Sequence, residues 1–188
     1  WRRRLQWMVS GAKYARTLRP EVNLPYLVFP HKTPLLRKLR HVDMQLQYNK
    51  ITNLRLASLT MNGLILKPGE VFSFWRQVGR PTRRQGYLEG MLCNGDFCAG
   101  TGGGLCQLSN LIYWMTLHTP LTVEERWRHN YDVFPDSNRT QPFGSGATVS
   151  YNYIDLQIKN HTSSDYQLMI WLDEDYLCGE WRCSQAPV

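Results

Sequence analysis

The chain has 188 residues, 43% of them hydrophobic and 20% charged, a composition that supports one core-bearing domain and excludes a disordered polymer. No run approaches about 18 consecutive apolar residues, so a membrane-spanning helix is excluded within it. Five cysteines are too few for a disulfide scaffold, and their odd number leaves at least one thiol unpaired.

The net charge of +7 is lopsided. Residues 1–40 carry ten Lys/Arg against Glu21 alone, whereas residues 41–188 carry twelve Lys/Arg against fourteen acidic residues. This predicts a basic N-terminal arm over 1–40 and a near-neutral body over 41–188. Such an arm suits an anionic surface, or else is a solvated helix face. The chain opens on Trp1, so an export signal or anchor upstream is left open.

In chain order, the basic stretch from Trp1 to Leu18 has helical spacing, with Leu5, Met8, Val9, Ala12 and Ala15 on its apolar side. Pro20, Pro25, Pro30 and Pro34 make the next segment extended and loop-like around the short apolar run 26–29. Leu54, Ala57 and Met61 share one helical stripe, which Thr52 or Asn53 can cap and Asn62-Gly63 can end. A turn at Pro68-Gly69 leads into a strand over 70–75. A basic loop over 79–86 follows, and a second strand over 87–93 turns at Asn94-Gly95. Leu105, Leu108, Ile112 and Met115 then mark a helix from 105 to about 118, closed by Pro120. Strands are expected over 121–127, 147–153, 155–159 and 166–172. Helices first and strands later, with one central helix, indicate an α+β fold with a mixed or antiparallel sheet.

The most informative segment is Gly102-Gly103-Gly104-Leu105-Cys106-Gln107. Three glycines cost backbone entropy and make sense where the chain turns sharply or approaches a ligand. They place Cys106 in the first turn of a helix, where free N–H groups and the dipole favour a thiolate. The same N–H groups, near Gly103 and Gly104, can hold an oxyanion. Cys106, Asn110 and Tyr113 fall on one helix face, away from the leucine stripe, so the thiol is expected to face a cleft. The competing reading is a small buried cysteine packing a tight helix start.

A cysteine nucleophile needs a base. Of the five histidines, His129 is the preferred partner, because it follows a strand and the acidic-basic run Glu124-Glu125-Arg126. Asp132, Asp136 and Asp155 are candidates to orient it, Asp155 first. Arg126 is placed to neutralise the thiolate or to bind a substrate carboxylate. Cys93 with Cys98 and Cys178 with Cys183 are each separated by four residues. That arithmetic allows two local disulfides or a four-cysteine zinc site, with free thiols as the default. Otherwise no cofactor is expected. The glycine run lacks the spacing of a Walker or dinucleotide loop, and no motif accompanies the aromatic residues that would predict nucleic-acid binding.

The chain resembles the VanW family, named after a protein encoded in type-B vancomycin-resistance clusters. The resemblance rests on residues 64–75 (Leu-Ile-Leu-Lys-Pro-Gly-Glu-Val-Phe-Ser-Phe-Trp) and on residues 102–111, from the glycine run to Leu111. It also rests on Glu125-Arg126 followed by His129, and on Ala147-Thr148-Val149 followed by residues 155–160. The segment 24–29 resembles the single-domain branch. One position departs: the family usually has Asp where Gly146 stands. The resemblance implies L,D-transpeptidase-like acyl transfer on peptidoglycan stem peptides or precursors through a Cys106 thioester, with His129 in the Arg-x-x-His position. Gln107 and Asn110 are included with the substrate-binding residues. The rival implication is a non-catalytic accessory protein of vancomycin resistance that binds peptidoglycan or glycopeptide. A place on the cell-wall side follows from the family, and a cytoplasmic one if Trp1 stands near the natural start.

Overall fold

The computed structural model describes residues 2–36, 43–93, 97–128 and 144–186, the side chains of residues 92, 93, 97 and 98 excepted. The elements in order are α1 (Arg2–Val9), β1 (Lys13–Tyr14), β2 (Thr17–Leu18), β3 (Tyr26–Pro34), α2 (Met44–Leu59), β4 (Leu64–Leu66), β5 (Glu70–Ser73) and α3 (Phe74–Val78). They continue as β6 (Glu89–Cys93), β7 (Phe97–Thr101), α4 (Cys106–Thr116), β8 (Thr122–Glu125), β9 (Gln157–Lys159), β10 (Tyr166–Leu172) and β11 (Tyr176–Cys183). Helices pack on mixed sheets, and the fold is α+β as the element order implies.

One sheet has the order β2-β4-β10-β11-β3 and a second the order β1-β5-β9-β8, while β6 and β7 form a hairpin. Within these, β1 runs parallel to β5 and the other pairings are antiparallel. The apolar stripes foreseen in the sequence do face inward. Leu54, Ala57 and Met61 from α2 and its end are fully buried, as are Leu108, Ile112 and Met115 of α4. Burying each large side chain contributes about 1.5–3 kcal/mol, so α4 is anchored firmly on β3 and β11. Its far end is tied by Trp181 Nε1, which donates to Thr116 Oγ1 at 3.0 Å.

Several expectations are corrected. Within the basic helical and extended segment 1–40, residues 13–34 supply strands to both larger sheets: β1 pairs with β5, β2 with β4, and β3 with β11. Even its charge turns inward, because Arg3 is buried and makes two 2.6 Å hydrogen bonds to Glu125. The helix expected to reach Leu18 stops at Val9, since strand pairing claims the next residues. β3 runs through Pro30 as a nine-residue strand, which the sheet tolerates because β3 is an edge strand. α2 begins at Met44, capped by Asp43, nine or ten residues before the expected cap at Thr52 or Asn53. The expected 147–153 strand is reduced to single bridges at Thr148 and Ser150, and β7 and β11 were not foreseen. Among the described residues, no helix is long and apolar enough to cross a membrane.

Candidate functional site

Cys106 opens α4, as its sequence position implies, and the glycine run before it is shaped by close packing. Gly102 and Gly104 have φ of +79° and +93°, the left-handed region that glycine enters freely. Gly103 lies flat against Gly90, and a Cβ there would sit 2.2 Å from the Gly90 carbonyl carbon. Asn53 of α2 clamps this contact. Its Nδ2 donates to the carbonyls of Gly103 and Leu88, each at 3.0 Å, and its Oδ1 accepts from Leu88 N at 2.8 Å. The N–H groups of Gln107 and Leu108 bond back to the carbonyls of Gly104 and Leu105. Among the described residues, the N–H groups of Gly104, Leu105 and Cys106 have no acceptor. Three unspent donors therefore lie in the chain at and just before Cys106, and free N–H groups at a helix start are of the kind that can hold a developing oxyanion.

The thiol itself does not rest as a primed thiolate. Burial pushes the Cys106 thiol above its ordinary range, and its Sγ donates to the Val149 carbonyl at 3.6 Å, a bond only the protonated form can make. The expected open cleft is occupied by segment 144–149. Ser109 Oγ donates to Ala147 O at 2.6 Å, and Ala147 N donates to Asn110 Oδ1 at 2.6 Å. Arg126 lies 4.7 Å over the Tyr113 ring, donates through Nε to Gly146 O at 2.8 Å, and also donates to Gly144 O. The Cys106/Asn110/Tyr113 face exists as foreseen, but it holds a cover of the protein's own backbone. At Gly146, a Cβ would stand 2.9 Å from Asn110 Oδ1, so an Asp there requires this amide to give way.

The remaining candidates separate. Gln107 points away from the sulfur and ties α4 to β3, donating to Thr33 Oγ1 at 3.0 Å and Pro34 O at 2.8 Å. The Gly103 N–H is spent on Gly100 O at 3.0 Å, so it is not a free donor for an oxyanion. Asp155 is fully buried and accepts from Ser73 Oγ, Trp75 N, Leu156 N and Gln157 Nε2. Its acceptor capacity is filled by this corner of the fold, so it is unavailable to orient an imidazole, and burial pushes its carboxyl up. His129, Asp132 and Asp136 lie outside the described residues.

Cys178 and Cys183 are free thiols on β11. Five residues of extended strand separate them by roughly 16 Å, which excludes a bond between them and a shared zinc ion. The side chains of Cys93 and Cys98 are outside the described set. Sequence reasoning missed Asn53 and Ser109 as shapers of the site. Asn53 carried a signal: a polar residue beside an apolar helical stripe needs a buried partner.

The family profile described as "VanW like protein" matches residues 49–182, which include the glycine turn, α4 and β8. The chain belongs to the VanW family. It is 41% identical over 179 residues to the "Vancomycin B-type resistance protein VanW" of Enterococcus faecalis, covering 95% of this chain and 65% of that protein. It is 30% identical over 109 residues to the "Uncharacterized protein YoaR" of Bacillus subtilis, covering 57% of this chain and 34% of that one. This VanW-family chain therefore spans just under two thirds of the first relative and about one third of the second. No solved structure matches it.

Proposed function

We propose that this chain is a cysteine acyltransferase of the L,D-transpeptidase type, acting on peptidoglycan stem peptides at the cell-wall side. The observation that carries this reading is Cys106 at the start of an eleven-residue helix, beside the unspent N–H groups of Gly104, Leu105 and Cys106. Once Cys106 loses its proton to a base, the sulfur attacks an amide carbonyl. The N–H groups hold the resulting oxyanion. The C–N bond then breaks, the amine leaves carrying a proton, and a thioester remains on Cys106. An acceptor amine attacks the thioester and the sulfur departs, taking back its proton. His129 is the proposed proton carrier, in the family's position for it. Arg126 is a candidate to receive a stem-peptide carboxylate once its carbonyl partners at 144 and 146 are released.

A second reading has its own support. The protonated, covered thiol suits a non-catalytic accessory protein that binds peptidoglycan or a glycopeptide and serves vancomycin resistance. The relative's printed name speaks of vancomycin resistance and of neither catalysis nor binding.

The test incubates the full chain with stem tetrapeptides and an amine acceptor and follows cross-linked product and protein mass. The acyltransferase reading expects a thioester adduct on Cys106 and loss of product in Cys106→Ala. Product formation unchanged in that variant removes the reading.

A further inference from the structure

We propose that α1 is a peripheral docking surface for a membrane that contains anionic lipid, with Leu5, Met8 and Val9 entering the headgroup boundary and Arg2 and Arg4 pairing with lipid phosphates. The helix is turned inside out. Arg3, Gln6 and Trp7 form its inward stripe: Arg3 is buried and donates to Glu125 and, at 2.9 Å, to Gln6 Oε1, while Trp7 packs against the core. The aliphatic residues face water instead. Leu5 is 58% exposed, Met8 74% and Val9 72%. Their spacing of i, i+3 and i+4 puts all three on one face.

The commitment of Arg3 explains the inversion. Its guanidinium is held by both oxygens of Glu125 and, at 2.7 Å, by the Tyr153 carbonyl, so the helical period leaves residues 5, 8 and 9 on the opposite side. A single exposed aliphatic residue needs no explanation. Three in one stripe of an eight-residue helix form a contiguous patch, and such patches mark contact surfaces. The patch continues into aromatic residues. Arg2 and Gln6 share one shallow hollow with Trp127 and Tyr153, whose side chains are 56% and 66% exposed. Trp and Tyr settle at the membrane–water boundary, because each joins an apolar body to a polar tip.

Charge selects the occupant. Arg2 stands one turn before Leu5 and Arg4 one turn before Met8, so guanidinium groups border the stripe on both sides. Among the described residues, no ion pair engages Arg2, Arg4 or Arg16. Arg16 belongs to the same corner: burial first, and then Arg16, push down the pKa of Arg76, which lies 5.6 Å over the Trp7 ring. A second copy of this chain suits the face poorly. It brings arginines against arginines, and three aliphatic side chains fall well short of the ~800 Å² per partner of a stable protein interface. A soluble polyanion pairs with the arginines and leaves the aliphatic stripe in water. An anionic bilayer satisfies both, with phosphates at its surface and hydrocarbon just beneath. This surface is independent of Cys106 chemistry.

The experiment sediments the full chain with phosphatidylcholine vesicles, with and without phosphatidylglycerol, over a range of sodium chloride concentrations. Binding to the phosphatidylglycerol vesicles is expected, and it should fall steeply without that lipid. Met8→Ser should weaken it about tenfold by removing apolar surface from the boundary, and Arg4→Gln about fivefold, the effect of one cation near an anionic surface. Trp127→Ala should weaken it several-fold. These side chains are exposed, so unfolding midpoints of the variants stay close to the parent. Salt should erase the difference between Arg4→Gln and the parent while leaving that of Met8→Ser. Absence of binding to phosphatidylglycerol vesicles overturns the surface. Equal binding by Met8→Ser also overturns it, because charge alone then accounts for the attraction. Dimerisation without lipid that Met8→Ser removes, with no vesicle binding, overturns it too and assigns the stripe to a second copy. Cys106→Ala should bind vesicles as the parent does, so failure of stem-peptide cross-linking removes the acyltransferase and leaves this surface standing.

Discussion

The two flanks of Cys106 are held by different physics. On one side, the glycine turn is locked by backbone lying on backbone, Gly103 against Gly90, with the buried Asn53 amide bridging Gly103 and Leu88. On the other, segment 144–149 is held by separate hydrogen bonds to Val149, Ala147, Gly146 and Gly144. The first flank has one steric solution and cannot move without losing the fold. The second rests on several separate hydrogen bonds, which can be removed singly by substitution. In this molecule the turn beside the sulfur is sterically fixed, whereas the segment over it is held by individual hydrogen bonds.

The comparison breaks most decisively at Gly103. Gly103→Ala forces a methyl into the Gly90 backbone and should cost about 3 kcal/mol or more, read from the urea unfolding midpoint. A near-neutral result there would mean that the turn is not sterically fixed. Asn53→Ala leaves the Gly103 and Leu88 carbonyls without their buried donor and should cost about 2–3 kcal/mol by the same measurement. On the opposite flank the expected stability effect is smaller and the kinetic one larger. Arg126→Ala removes the stacking on Tyr113 and the bonds to residues 144 and 146. It should lower stability by about 1 kcal/mol while raising the alkylation rate of Cys106 several-fold. Unchanged labelling in that variant would show that the cover does not control access.

The smallest effect is on pH dependence. The folded thiol is pushed up by burial, so it keeps its proton to higher pH than the unfolded thiol does. Its contribution to stability is full below the unfolded value of ~8.5 and is lost as pH rises through the folded one. Wild type should therefore lose slightly more stability than Cys106→Ala on the alkaline side. Parallel alkaline slopes for the two proteins would contradict the burial argument.

The α+β class, the inward stripes of α2 and α4, and the position of Cys106 at a helix start were legible in the chain itself. Each follows from local chemistry: 3.6-residue periodicity, and glycines that permit a left-handed turn. The site residues were less legible. Asn110 and Tyr113 share a helix face with Cys106 as their spacing implies, but spacing did not show that segment 144–149 lies over them or that Arg126 stacks on Tyr113. Asp155 looked like an orienting carboxylate and is instead saturated by four donors from its own corner.

What periodicity and composition settled was which residues turn inward and where the sulfur enters its helix, because those depend on neighbours a few positions away. The protonation of that sulfur, the folding of the basic first 36 residues into both sheets, and the clamp by Asn53 came from contacts across 35 or more positions. Burial and long-range hydrogen bonding set these, and no local pattern encodes them. The helix start that would have favoured a thiolate in open water is instead buried, and desolvation, the largest influence on the thiol, pushes it up despite the opposing backbone bond at Val149.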